Sequence, residues 1–195
     1  MLIYINMKAY EVIEGKRRCL FSAPHAYSHR RPSLARRYKE HEEYTDDIVK
    51  DVCKKTGSWG IYVKDQIDYD PNYHKEDNQY KEEIKKIVKG NKIATFIDIH
   101  GLSAEHMIDI AIYYKTRFLN SIRLAYRLSK ALNKGRLKGL NIQILRLPDE
   151  NRETLTEFTA SKLRIPSVQI EIARYLRDDK ELRNEIVNNL ADGIS

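Results

Sequence analysis

Ala94-Thr95-Phe96-Ile97-Asp98-Ile99-His100-Gly101 is the stretch from which the fold can be read. It is apolar and β-branched almost throughout, too short for a helix, and it stops at a glycine. Those are the marks of a strand covered on both faces. A second stretch, Ser167-Val168-Gln169-Ile170-Glu171-Ile172, repeats the pattern near the other end of the chain, with Pro166 acceptable at its start. Shorter strands are expected at Arg18 to Ala23, Trp59 to Val63, Met107 to Tyr113 and Asn141 to Leu145, and Leu2 to Val12 alternates loosely.

Helical spacing fills the intervals between them. Ile48, Val49, Val52 and Cys53 share one face of a helix that Thr45 can cap and that Gly57 ends, with Asp46 and Asp47 in its first turn. Ile84, Ile87 and Val88 mark a helix over Tyr80 to Val88, stopped by Gly90-Asn91. Leu119 to Leu132, Glu153 to Lys162 and Lys180 to Leu190 are read as helices in the same way. Strands alternating with helices predict an α/β domain with a mainly parallel or mixed sheet covered on both faces. Such a sheet binds ligands beyond the carboxyl ends of its strands. The length, 195 residues without a linker-like break, predicts a single domain over residues 1–195.

Composition narrows the function. Charged residues make up 32% of the chain and no apolar run is long enough to span a bilayer, so a cytoplasmic location is expected. Cys19 and Cys53 sit among apolar residues and are read as buried thiols. The net charge is +7. It fits a solubilising surface or a field that draws an acidic small substrate. Without a zinc-finger spacing, an RGG tract or a Gly-rich nucleotide loop, nucleic acid is not the expected partner.

Of the six histidines, His25 and His100 end strands, whereas His29, His41, His74 and His106 fall in polar segments or near the start of an element. Two histidines and a carboxylate would make a catalytic zinc set with one position left for water. Asp46 and Asp47 are the carboxylates nearest to hand, and because consecutive helix residues point about 100° apart only one of them can face a given metal. Glu171, between Ile170 and Ile172, is costly to bury without a role or a partner. Asp98 falls on the strand face of His100 and is placed to orient its ring. His25 and His29 are four apart, but Pro24 and Pro32 argue against a helix joining them. Structural readings stand beside these: turn-anchoring histidines, ordinary helix-start acids, and an ion pair between Glu171 and Arg174.

Taken in order, Ser22-Ala23-Pro24-His25-Ala26, Thr45-Asp46-Asp47-Ile48-Val49, Asp70-Pro71-Asn72, Ile97-Asp98-Ile99-His100-Gly101 and Val168-Gln169-Ile170-Glu171-Ile172 resemble the N-formylglutamate amidohydrolase family, within the zinc carboxypeptidase-like hydrolases. The resemblance spans residues 18 to 176. It implies a phosphorylase/hydrolase-like three-layer α/β/α fold, one zinc held by His25, Asp46 and His100, and Glu171 as general base. Two positions depart from the family pattern. Ala26-Tyr27 follow His25 where the family has Ser-Gly, and Tyr73 follows Asn72 where the family has Arg. The expectation that carries over is therefore hydrolysis of an amide or peptide-like bond near an acidic group, in a small-molecule or peptide substrate. No arginine among Arg30, Arg31, Arg117, Arg123 and Arg174 is singled out for that group. The rival expectation is a non-enzymatic module that binds RNA, another polyanion or a protein.

Overall fold

A computed structural model describes residues 8–31, 37–73, 78–103, 105–115, 119–147 and 153–194. Its centre is a seven-stranded mixed sheet made of β1 (Tyr10–Ile13), β2 (Cys19–Ala23), β5 (Trp59–Val63), β6 (Thr95–Leu102), β7 (Ile110–Tyr114), β8 (Ile142–Arg146) and β9 (Ser167–Ala173). The spatial order is β1-β5-β2-β6-β9-β7-β8. The run β5-β2-β6-β9 is parallel; β1 and β7 join it antiparallel, and β8 runs parallel to β7. A two-stranded ribbon, β3 (His29–Arg30) and β4 (Tyr38–Lys39), stands apart from the sheet.

Helices cover both faces and complete the α/β/α sandwich. Ile97, Ile99, Val168, Ile170 and Ile172 point to one face, where α1 (Thr45–Thr56), α3 (Leu119–Leu132) and α6 (Lys180–Gly193) bury Val52, Leu128 and Leu190 against them. Leu20, Ile61 and Phe96 point to the other face, under α2 (Gln79–Gly90) and α4 (Leu155–Ser161), which contribute Tyr80, Ile84 and Phe158. Because side chains alternate along a strand, Asp98 and His100 share the face of Phe96, and Glu171 lies opposite Ile170 and Ile172. A short helix, α5 (Arg174–Asp178), follows β9 directly. No helix among the described residues is long and apolar enough to cross a membrane.

Several boundaries differ from the expectation for physical reasons. Strand β6 continues two residues past His100, because its pairing with β9 runs on through Gly101↔Ile172 and Leu102↔Ala173. His100 is thus inside the carboxyl-terminal end of the strand rather than beyond it. Strand β7 begins at Ile110, and Met107 is 93% exposed. Helix α1 is not capped by Thr45: Tyr44 takes the preceding position at φ 63°, while the Thr45 hydroxyl donates back to the carbonyl of Glu42 at 2.8 Å. The alternating start at Leu2 and the site candidates His74 and Arg117 lie outside the described residues, or in part so, and only Tyr10–Ile13 of the first run is seen as strand.

Candidate metal centre

The three adjacent parallel strands β2, β6 and β9 end on one side of the sheet, and each delivers a residue there. His25 follows β2 by two residues, and His100 and Glu171 are direct register partners across β6 and β9. His25 and His100 are almost wholly buried, and their rings meet edge to face at 4.7 Å between centroids.

The carboxylate between the two histidines is Glu42. His25 Nδ1 lies 3.1 Å from its Oε1, and His100 Nδ1 lies 3.2 Å from its Oε2. The residue is clamped from several directions. Its backbone N–H donates to the carbonyl of His25 at 2.8 Å, and its Oε2 accepts the N–H of Gly101 at 2.8 Å. Lys39 Nζ donates to Oε1 at 3.3 Å. Gly101 is needed for this approach, since a Cβ there would fall 2.7 Å from the Arg177 guanidinium and 3.0 Å from Glu42 Cβ.

Each histidine is gripped on its far nitrogen by a fully buried aspartate. His25 Nε2 lies 2.8 Å from Asp70 Oδ1, and His100 Nε2 lies 3.0 Å from Asp98 Oδ2. Both rings are therefore fixed with Nδ1 turned to the shared carboxylate. This is the arrangement by which outer carboxylates orient histidine ligands and raise their basicity. Burial alone would lower the pKa of His100, but the carboxylates of Asp98 and Glu42 outweigh it and hold it up at about 10. Burial would raise Glu42, and the two imidazoles reverse that and keep it well below the usual carboxylate range.

Asp46 is not part of this group. Its carboxylate accepts from Lys50 Nζ at 2.7 Å, an i,i+4 pair on helix α1, and Asp47 lies 3.6 Å from the same ammonium. The carboxylate that meets the two histidines lies four residues before the expected acid, in the segment that leads into the helix. Glu42 sits in a polar run, Lys39-Glu40-His41-Glu42-Glu43, with nothing in local pattern to separate it from its neighbours. Non-local contacts, among them the backbone bond to His25, and the left-handed turn at Tyr44 bring it inward.

His29 also differs from its polar-loop reading. It is fully buried and stacks on His25 with centroids 4.0 Å apart and planes 7° from parallel, although no helix joins the two. The ribbon β3-β4 and a bridge from His29 to Ile67 fold it back. Burial, followed by the charge of His25, pushes its pKa down to about 3, so its ring is neutral. His41 and His106 are exposed, with His41 Nε2 3.5 Å from Glu43.

Glu171 faces the same space. Burial pushes its carboxyl above the ordinary value, against the pull of His100, and Gln169 donates to it at 2.9 Å. The alternative reading of Glu171 as an ion pair with Arg174 is not what forms: Arg174 binds Glu43 Oε2 at 2.6 Å and Asp178. A cavity of about 760 Å³ opens over His25, Glu42, His100 and Glu171. Nitrogen and oxygen donors of His25, Glu42 and His100 lie within 4.8 Å of one another, and so do those of His25, His29 and Asp70. The first set is compatible with a metal-activated hydrolytic site: two imidazoles and a carboxylate suit zinc.

No protein-family model and no curated protein sequence matches the chain. Solved structures do resemble it in fold. A gene product of Agrobacterium tumefaciens superposes with a TM-score of 0.65 at 11% identity, covering 95% of this chain and 92% of the other. The N-formylglutamate amidohydrolase from Ralstonia eutropha JMP134 gives 0.65 at 11%, covering 94% and 97%. The CwlD amidase from Clostridioides difficile, solved with the GerS lipoprotein, gives 0.57 at 16%, covering 91% and 96%. What the chain shares with these proteins is the three-layer fold over nearly its whole length.

Proposed function

We propose that the chain is a zinc-dependent hydrolase of an amide or peptide-like bond, with His25, Glu42 and His100 as the metal ligands and Glu171 as general base. The observation that carries this reading is the meeting of two histidine Nδ1 atoms on one buried carboxylate, each ring held from behind by its own buried aspartate. A structural ion-pair cluster has no need of that outer pair, nor of a carboxyl such as Glu171 beside an open cavity. Amide hydrolysis is the chemistry named for the similar N-formylglutamate amidohydrolase and CwlD amidase, and it is adopted here as the reaction class.

A zinc ion bound to this set supplies a Lewis acid for the amide carbonyl and lowers the pKa of a water. The residues do the rest. Asp70 and Asp98 keep the imidazoles in the tautomer that offers Nδ1. Glu171, with its proton affinity raised by burial, takes a proton from the attacking water as the carbon–oxygen bond forms. It then hands that proton to the departing nitrogen as the carbon–nitrogen bond breaks, so that acid and amine leave together. Its register pairing with His100 across β6 and β9 supports this role.

The test is a panel of N-acyl amino acids and short peptides incubated with the zinc-loaded protein, with Glu171→Gln alongside. Expected are full metal content in the variant and turnover lowered by about 10²- to 10⁴-fold. Full turnover by Glu171→Gln would remove it from the reaction. A wild-type protein that binds no metal and hydrolyses nothing would leave the binding-module reading in place.

A further inference from the structure

We infer that the end of the sheet opposite the candidate metal centre is a docking face for an anionic lipid bilayer, whose headgroups supply the complementary charge. The inference goes beyond the hydrolase reading and does not depend on it.

Strands β5, β2, β6 and β9 all begin at that end. The segments that lead into them, 54–58, 16–18, 89–94 and 162–166, hold nine basic residues, no acidic residue and no aromatic one. Backbone bonds stitch these segments side by side. The N–H groups of Lys16 and Arg17 donate to the carbonyl of Gly57 at 2.8 and 2.9 Å, and that of Ala94 donates to the carbonyl of Arg18 at 2.7 Å. Phe96, at the start of β6, donates to the carbonyl of Pro166 at 3.0 Å. Neighbouring strands lie about 4.8 Å apart, so the four entries form a row about 14 Å wide.

Two of the nine cations are engaged: Arg18 donates through Nε to the carbonyl of Lys92 at 2.7 Å, and Lys162 pairs with Glu153 at 3.1 Å. The other seven are exposed and make no ion pair among the described residues. The acids nearest to them in sequence, Glu14 and Asp51, leave the balance strongly positive. Helix ends explain only part of this charge. Lys54 and Lys55 complement the dipole of α1, and Lys89 that of α2. Lys16, Arg17, Lys92 and Arg164 stand on no helix. Lys92 and Arg164 turn the chain at φ 51° and 60°, where glycine or asparagine is the cheaper residue, so the turns themselves do not call for a cation.

An unpaired cationic row is what an anionic bilayer attracts, each charge adding to the binding. An apolar side chain that enters the headgroup layer strengthens it. Leu119, 56% exposed, opens α3 two residues before Ser121, whose hydroxyl accepts the N–H of Ser167 at the start of β9 at 3.0 Å. It therefore stands at the same end as the cations. Nucleic acid suits the row less well, because no ring lies among the cations for a base to stack on. The exposed Tyr27, Tyr38, Tyr44 and Tyr175 belong to segments at the carboxyl ends of the strands. Docking through the amino ends leaves the cavity open to solution.

The experiment is flotation of the full chain with vesicles of phosphatidylcholine alone or with about 30% phosphatidylserine, which carries the anionic surface potential. Expected is binding to the anionic vesicles only, lost when NaCl is raised from about 0.1 M to about 0.5 M. A cation close to an anionic bilayer strengthens binding by about 5-fold, so the triple variant Lys16→Gln, Arg17→Gln, Lys92→Asn should lower the partition coefficient by about 100-fold. The triple variant Lys134→Gln, Lys138→Gln, Lys180→Gln makes the same change of net charge at the opposite end and should lower it by no more than about 3-fold. All six side chains are exposed, and circular dichroism checks that both variants are folded. A wild-type chain that ignores anionic vesicles, or two triple variants that lose binding equally, overturns the inference. RNA bound through Lys16, Arg17 and Lys92 more tightly than the vesicles would assign the face to nucleic acid and overturn it as well.

Discussion

Glu42 and Asp46 make opposite predictions, and the structure supplies the magnitude of each. In Glu42→Gln the side chain keeps its length but loses its charge, and one acceptor oxygen becomes an NH₂. Depending on the flip, that group would face the Gly101 N–H or the Lys39 ammonium, donors already on site, together with the Nδ1 of His100 or of His25. Removing an outer carboxylate from a metal site costs about 10- to 100-fold in affinity. Removing the anionic ligand itself should cost at least the upper end of that, about 100-fold or about 2.7 kcal/mol. Asp46→Asn instead removes an i,i+4 pair with a partly exposed lysine and a first-turn carboxylate. Those are worth about 0.3–0.5 kcal/mol and about 0.3–1 kcal/mol of helix stability. The assay is competition for zinc with a chromophoric chelator, with elemental analysis after dialysis and thermal unfolding with and without metal. Glu42→Gln should lose both stoichiometric zinc and the metal-dependent rise in Tm. Asp46→Asn should keep both and unfold slightly earlier. Zinc lost from Asp46→Asn and kept by Glu42→Gln would refute the ligand set.

The outer aspartates give a weaker version of the same effect: Asp98→Asn should reduce zinc affinity by about 10- to 100-fold in the chelator competition while the fold, followed by circular dichroism, persists. Gly101→Ala places a methyl against Arg177 and Glu42, neither free to retreat, and is expected to cost about 1–3 kcal/mol in denaturant unfolding and to weaken zinc binding with it. Burial pushes the Cys19 thiol up to about 12 and the Cys53 thiol higher still. Both should stay unreactive to a disulfide reagent at pH 8 until the protein is unfolded. Because a raised folded pKa favours the protonated form, their contribution to stability is complete below the pKa of the unfolded thiols and is lost as pH rises from there toward 12. A Cys19→Ser, Cys53→Ser protein should show a shallower alkaline loss of stability.

Where the sequence was legible, one local signal was enough. β6 and β9 are continuous apolar runs bounded by turn residues, and the single carboxylates within them, Asp98 and Glu171, stand out because alternation sends them to the face opposite the isoleucines. The strand-end positions of His25 and His100 followed from the same periodicity. Elements held by individual polar contacts were less legible. The residues from Met107 to Asp109 continue an apolar pattern, yet the Asp109 carboxylate accepts from Asn141 N–H and Tyr175 hydroxyl instead of letting strand β7 begin there. Helix α4 starts at Leu155 because Thr154 accepts the N–H of Glu157, while Glu153 turns to the buried Lys81 at 3.1 Å.

The candidate metal centre divides along the same line. Residues carried by sheet strands could be placed from sequence, because a strand's direction and alternation determine where a side chain goes. Glu42 and His29 are carried by chain that has no period. Glu42 enters through a backbone bond to His25 and a left-handed residue at Tyr44, and His29 through a two-residue ribbon and a bridge to Ile67. Asp70 lies in the long excursion after β5, and what marks it is its burial behind His25 and Arg31. The sheet thus provides His25, His100 and Glu171 at three neighbouring strand ends, and irregular segments bring the carboxylates Glu42 and Asp70 and the guanidinium of Arg31 to them. A protein built this way can change what it binds by altering those segments alone. Arg31 and Tyr73, with the guanidinium carbon 5.9 Å from the centre of the tyrosine ring, both lie in those segments.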